Sequence, residues 1–164
     1  MASWVPQTPV LGLQPIADTS TTQQHPLGTI VTAKHETYYS GEFIYLLGVA
    51  STAVGSWVTY NMDDGSTTLL AANAIGPVAV AMSANVASQY GWYQIQGKAV
   101  AKVSAGFVDN ANLYATATPG EADDAVVAGD RVKRAKGASA IGTPSTGLAE
   151  VEIDRPFMDD AVAA

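Results

Sequence analysis

The 164 residues include no cysteine, so disulfide staples, thiolate metal sites and thiol nucleophiles are all excluded. Only two histidines, His25 and His35, are present, which leaves little for a mechanism built on imidazole. Charge is scarce too: 14% of residues are Asp, Glu, Lys or Arg, 48% are hydrophobic, and the net charge is -7. That sign repels phosphate backbones over most of a surface and argues against a nucleic-acid partner. No apolar run approaches the ~20 residues that a membrane-spanning helix needs, so no membrane partner is expected. The opening "MASWVPQTPV" has no basic region and is broken by Pro6 and Pro9, so no export signal is expected. Phosphate-cradling glycine loops and the G-x-S-x-G elbow of serine hydrolases are missing as well.

A chain of this length can bury roughly 70% of its unfolded surface, enough for a core without metals or staples. With so few charges, much of the surface must be Ser, Thr, Gly, Ala and Asn, which suits coverage by partners better than life as a lone monomer.

Residues 1–26 hold Pro6, Pro9, Pro15 and Pro26 and the polar run "DTSTTQQH", with neither strand nor helix periodicity. They read as an extended N-terminal arm. From residue 27 to 164 the pattern changes to short runs rich in Val, Ile, Tyr, Trp and Thr, bounded by turn residues. The runs are "LGTIVTA", "EFIYLLGV", "GSWVTYN", "TLLAA", "GPVAVAM", "GWYQIQG", "KAVAKVS", "NLYATA", "AVVAG", "DRVKRAKG", "ASAIGT" and "GLAEVEI". Asp64-Gly65 marks a hairpin turn, and at most one short helix is expected, near "SANVASQY". The fold class is all-β, a compact barrel or sandwich.

The candidate chemistry is thin. A two-histidine metal site needs a carboxylate such as Glu36, and the spacing singles none out. "NMDDGS" places Asn61, Asp63 and Gly65 like the start of a calcium loop but lacks the closing Glu, so it reads as a β-turn. Glu121 to Asp124 reads as an exposed acidic turn, with nothing to place a carboxylate in a cleft. No catalytic residue, metal or cofactor is expected.

"RVKRAKG" concentrates Arg131, Lys133, Arg134 and Lys136, half of all basic residues, within six positions. At strand spacing Arg131 and Lys133 share one face, and Arg134 and Lys136 the other. Two readings stand: an edge kept charged against unwanted pairing, or a contact to an acidic partner surface. In "YGWYQIQGK" strand alternation sends Trp92, Gln94 and Gln96 to one face and Tyr93 and Ile95 to the other. Tyr93 and Ile95 are read as core, and Trp92 as capping a strand end or a subunit contact.

The phrases "IADTSTTQQHPLGTIVTA", "GEFIYLLGVASTAVGSWVTYN" and "GPVAVAMSANVASQYGWYQIQGKAVAKV" resemble small decoration, or cement, proteins of tailed-bacteriophage heads. The resemblance covers residues 15 to 118 well and the C-terminal third more loosely. It implies a β-tulip or small barrel that assembles as a homo-oligomer, frequently a trimer. It also implies binding to the major capsid protein on the outer surface of the virion, after synthesis in the host cytoplasm, and no enzymatic activity. Under that reading the arm supplies capsid or intersubunit contacts through Trp4, Val5, Leu11, Leu13, Ile16 and His25. Trp92 and the four basic residues Arg131, Lys133, Arg134 and Lys136 join them. Two other readings stay open: a carbohydrate- or receptor-binding module using Trp57 and Trp92, and a hydrolase using His25 or His35.

Overall fold

Among the described residues, those up to 29 form almost no regular structure, and from Ile30 the chain runs in strands joined by turns. The structure, a computed structural model, describes residues 3–159; the outermost parts of both expected segments, 1–2 and 160–164, lie outside it. In chain order the strands are β1 (Val5–Pro6), β2 (Thr19–Ser20), β3 (Ile30–His35), β4 (Tyr39–Leu47), β5 (Trp57–Tyr60) and β6 (Thr67–Leu69). There follow β7 (Ile75–Ala81), β8 (Tyr90–Lys102), β9 (Asn112–Ala115), β10 (Ala122–Asp123), β11 (Arg131–Gly137) and β12 (Leu148–Asp159). The protein is all-β, and its twelve strands pair antiparallel along the order β1-β3-β4-β8-β7-β12-β11-β9-β10, with β2, β5 and β6 attached to the side. The path runs from one edge to another without closing into a barrel.

The centre of the molecule is a three-way junction. β8 pairs with β4 and β7 through its first half and with β12 through its second. β12 in turn leaves β8 after Asp154 and pairs with β7 from Phe157 onward. Each long strand changes partners at a left-handed residue, Gly97 (φ 102°) in β8 and Arg155 (φ 48°) in β12. A Cβ on Gly97 would lie 2.4 Å from the Ser40 carbonyl oxygen, so only glycine allows β4 this close. "GWYQIQG" and "KAVAKVS" are thus one bent strand, not two.

Two other expectations are corrected, and the one segment open to a helix does not form one. Residues 83–90 are not helical: Asn85 N–H bonds Ser83 O and Val86 N–H bonds Ala84 O, tight turns that Ser and Asn favour over a helix. "AVVAG" is an exposed turn, with Val126 79% and Val127 44% accessible. "ASAIGT" turns back through Gly142 N–H to Leu148 O instead of joining the sheet. The Asp64-Gly65 turn is present, with Gly65 at φ 68° and the Asn61 and Asp64 side chains accepting the N–H groups of Asp63 and Ser66.

The apolar residues form three cores. The largest, around Trp57, Phe107, Leu113, Val132, Val151 and Met158, lies under β7, β9, β11 and β12. A second holds Ile44, Leu46, Val58, Ala79, Ala81, Tyr93 and Ile95. The third joins Val31, Ala33, Phe43, Tyr45 and Trp92 to Ile16 of the N-terminal segment. Both faces of β8 are therefore buried: Tyr93 and Ile95 face the second core as expected, and Trp92 on the opposite face belongs to the third.

Candidate interaction surface

The basic strand departs from its expected geometry. The pairing of β11 with β12 shifts between Lys133 and Ala135, and Arg134 sits at the bulge with φ 58°. A bulge inserts one residue and resets the alternation. Arg131, Lys133, Arg134 and Lys136 consequently all face solvent, while Val132, Ala135 and Gly137 are buried. The expectation that the four divide between two faces is corrected by that one inserted residue.

Their partners differ. Lys133 pairs with Asp159, and Lys136 reaches Asn110 Oδ1 at 3.1 Å and Glu152 at 3.8 Å. Arg131 Nη2 donates to the neutral Asn112 Oδ1 at 2.9 Å. Arg134 has no side-chain partner among the described residues, although it lines an open groove with Arg131, Lys136, Glu152 and Asp154. A guanidinium so placed is available to a carboxylate fork on another molecule.

The N-terminal segment lies back across β3, β4 and β8 of its own chain. β1 pairs with β3, Val5 opposite Lys34 and Pro6 opposite Ala33. The outer edge of β1 is blunted, because Pro6 has no N–H and the Gln7 side chain donates to the Val5 and Pro6 carbonyls. Trp4 is half-buried against Phe43 (ring centroids 4.7 Å), His35 (5.2 Å) and Tyr38 (6.4 Å). Leu13 is half-buried and Ile16 is 2% accessible. Val5 (56%) and Leu11 (101%) point to solvent.

Beneath the segment, Gln14 is bonded at every polar atom. Its N–H donates to His25 Nε2 (3.0 Å), and its carbonyl accepts the Trp92 indole N–H (2.9 Å). Its side-chain Oε1 accepts the Tyr45 hydroxyl (2.8 Å), and Nε2 donates to the carbonyls of Asp18 and Tyr90. The His25 ring packs against Tyr45 (5.1 Å) and Trp92 (5.5 Å). Ile16, His25 and Trp92 are thus internal fastenings of the segment, whereas Val5, Leu11 and the four basic residues are presented outward. Nothing in the sequence around Gln14 marks it, since its partners lie on β4 and β8.

His35, Asp64 and Tyr93 serve local structure. His35 Nδ1 accepts the N–H of Thr37 (3.0 Å) and of Tyr38 (3.3 Å). The Asp64 carboxyl is held below its usual value by hydrogen bonds from Ser66. Burial pushes the Tyr93 phenol up, against hydrogen bonds from neighbours such as Asn85. Among the described residues no three His, Asp or Glu side chains gather as a metal would require. The arrangement is an all-β body with an outward basic strand and a fastened N-terminal segment. The chain matches no protein-family model, no curated protein and no solved structure.

Proposed function

We propose that this chain is a structural protein of a tailed-bacteriophage head, a decoration protein that binds the outer capsid surface and ties neighbouring major capsid subunits together. The observation that carries the reading is the set of phrases across residues 15–118 that resemble such proteins. The outward basic strand supports it: four cations on one exposed strand of a chain with net charge -7 form a local docking element for an acidic partner surface. Several copies, each making a modest contact, would raise avidity by ~10² to 10⁴ over one copy. In this reading the chain clamps and does not catalyse. The N-terminal segment contributes through its outward residues, Val5 and Leu11, while Ile16 and His25 hold it in place.

The carbohydrate- or receptor-binding alternative needs exposed indoles. Trp57 and Trp92 are both 0% accessible, so no observation favours it.

Co-sedimentation with capsids assembled without this chain tests the proposal. The wild-type chain should pellet with capsids, more weakly as salt rises, and the pair Lys133→Glu with Arg134→Glu should stay in the supernatant. A wild-type chain that fails to pellet at low salt would overturn the reading.

A further inference from the structure

One sheet face leaves its core uncovered. Along β7, Ala79 and Ala81 belong to the second core, and alternation puts Pro77 and Ile75 on the same face beyond its end. On β12, Met158 points into the largest core, so Phe157, directly opposite Pro77, points to that same open face. Met62 enters from the β5–β6 turn and lines a groove with Tyr60, Ile75 and Pro77. Met62 and Ile75 are each 67% accessible and Phe157 is 39%. An apolar face continuous with a buried core and open to water is unusual on a protein that stands alone.

The charges at its two ends identify what covers it. At one end the β5–β6 turn carries Asp63, which lines the groove beside Met62. The Asp63 carboxylate has no partner among the described residues. At the other end Lys133 of β11 stands opposite Phe157 and shares its face, with Arg131 two residues earlier. Strands lie ~4.8 Å apart, so β7, β12 and β11 set the basic end roughly 10 Å from Pro77. Asp159, opposite Ile75 on the same face, is taken up by Lys133, and Arg131, held only by the neutral Asn112, is left at this end as a cation open to a carboxylate.

A strip that is acidic at one end, apolar in the middle and basic at the other is complementary to itself after a half turn. We infer that a second copy of this chain covers this face about a two-fold axis. Ile75, Met62 and Phe157 of the two copies pack together, and the Asp63 turn of each meets Arg131 of the other. A head-to-tail ring would bring the charged ends together but leave the apolar middle wet, so the contact is two-fold in place of the three-fold assembly the resemblance implies. It forms in the free chain and does not depend on capsid binding.

Sedimentation equilibrium of the purified chain without capsids tests it, with tryptophan emission from buried Trp57 and Trp92 reporting that each variant is folded. The wild type should be a dimer, and Ile75→Glu, on a side chain already exposed, should weaken it by at least about tenfold, the equivalent of 1.4 kcal/mol. Asp63→Arg and Arg131→Glu should each weaken the dimer, and the two together should restore it. A monomer or a trimer for the wild type, a dimer indifferent to Ile75→Glu, or a double exchange that fails to restore association would each overturn the inference.

Discussion

The backbone N–H of Gln14 donates to Nε2 of His25 across a distance of 3.0 Å, and this bond closes the loop that fastens the N-terminal segment to the sheet. Because Nε2 accepts, the neutral ring carries its proton on Nδ1. The same glutamine bonds Tyr45 and Trp92, which ties residues 14 and 25 to β4 and β8. Gln14→Ala should leave the Tyr45 hydroxyl and the carbonyls of Asp18 and Tyr90 short of partners, at about 1–3 kcal/mol in a buried site. Chemical denaturation measures it; a change under about 0.5 kcal/mol would show that water replaces the side chain at no cost.

Removing residues 1–26 should destabilise the body instead of merely freeing it of an arm. Ile16 is 2% accessible against Val31, Phe43, Tyr45 and Trp92, and the deletion would open that whole apolar surface. Burying Ile16 alone is worth about 1.5–3 kcal/mol. The truncated chain should bind an apolar dye and melt well below the full chain; an unchanged melting temperature would contradict this placement of the segment.

Gly97→Ala should be among the most damaging small substitutions. It combines a left-handed backbone with a Cβ only 2.4 Å from the Ser40 carbonyl oxygen. Backbone strain of this type costs on the order of 1–3 kcal/mol, before the clash forces β4 away from β8. Equilibrium unfolding of the variant should show a loss above about 2 kcal/mol, and wild-type stability would mean that β8 bends elsewhere.

The first half of "YGWYQIQGK" was legible from its alternation, since Tyr93 and Ile95 point one way and Trp92 the other. Its closing glycine read as a strand boundary because a glycine looks the same at a chain turn and at a bend that brings two strands close. The bulge at Arg134 was invisible for a related reason. Nothing local favours an arginine at φ 58°, and only the shifted pairing with β12 reveals it. The fastening of the Pro-rich segment was equally hidden, because polar, aperiodic residues such as Gln14 become internal only when distant aromatics surround them. Strand-forming composition was enough to identify the all-β class. It also overreached, because "AVVAG" is β-branched yet has no neighbouring strand to pair with.

Stability should fall in alkali. The phenols of Tyr60 and Tyr93 are raised above the ordinary 10.0, in both cases chiefly by burial. A group whose folded value is raised contributes stability that is complete below its unfolded value and is lost as pH rises through the folded one. Denaturation midpoints should therefore hold from neutrality to about pH 9 and drop above pH 10. Tyr93→Phe should flatten that drop while lowering stability at neutral pH, since Asn85 Nδ2 loses the hydroxyl it meets at 3.0 Å. An identical alkaline drop in the variant would place its origin elsewhere.

The central claim, that the chain is a clamp on a capsid surface, is tested most directly by an electron-microscopy map of particles saturated with it. The account predicts density of this all-β body on the outside of the shell, each copy touching at least two major capsid subunits, with the exposed strand carrying Arg131 to Lys136 against acidic groups. Density confined to the particle interior or to a tail, or none on particles that carry the chain in full copy number, would contradict it.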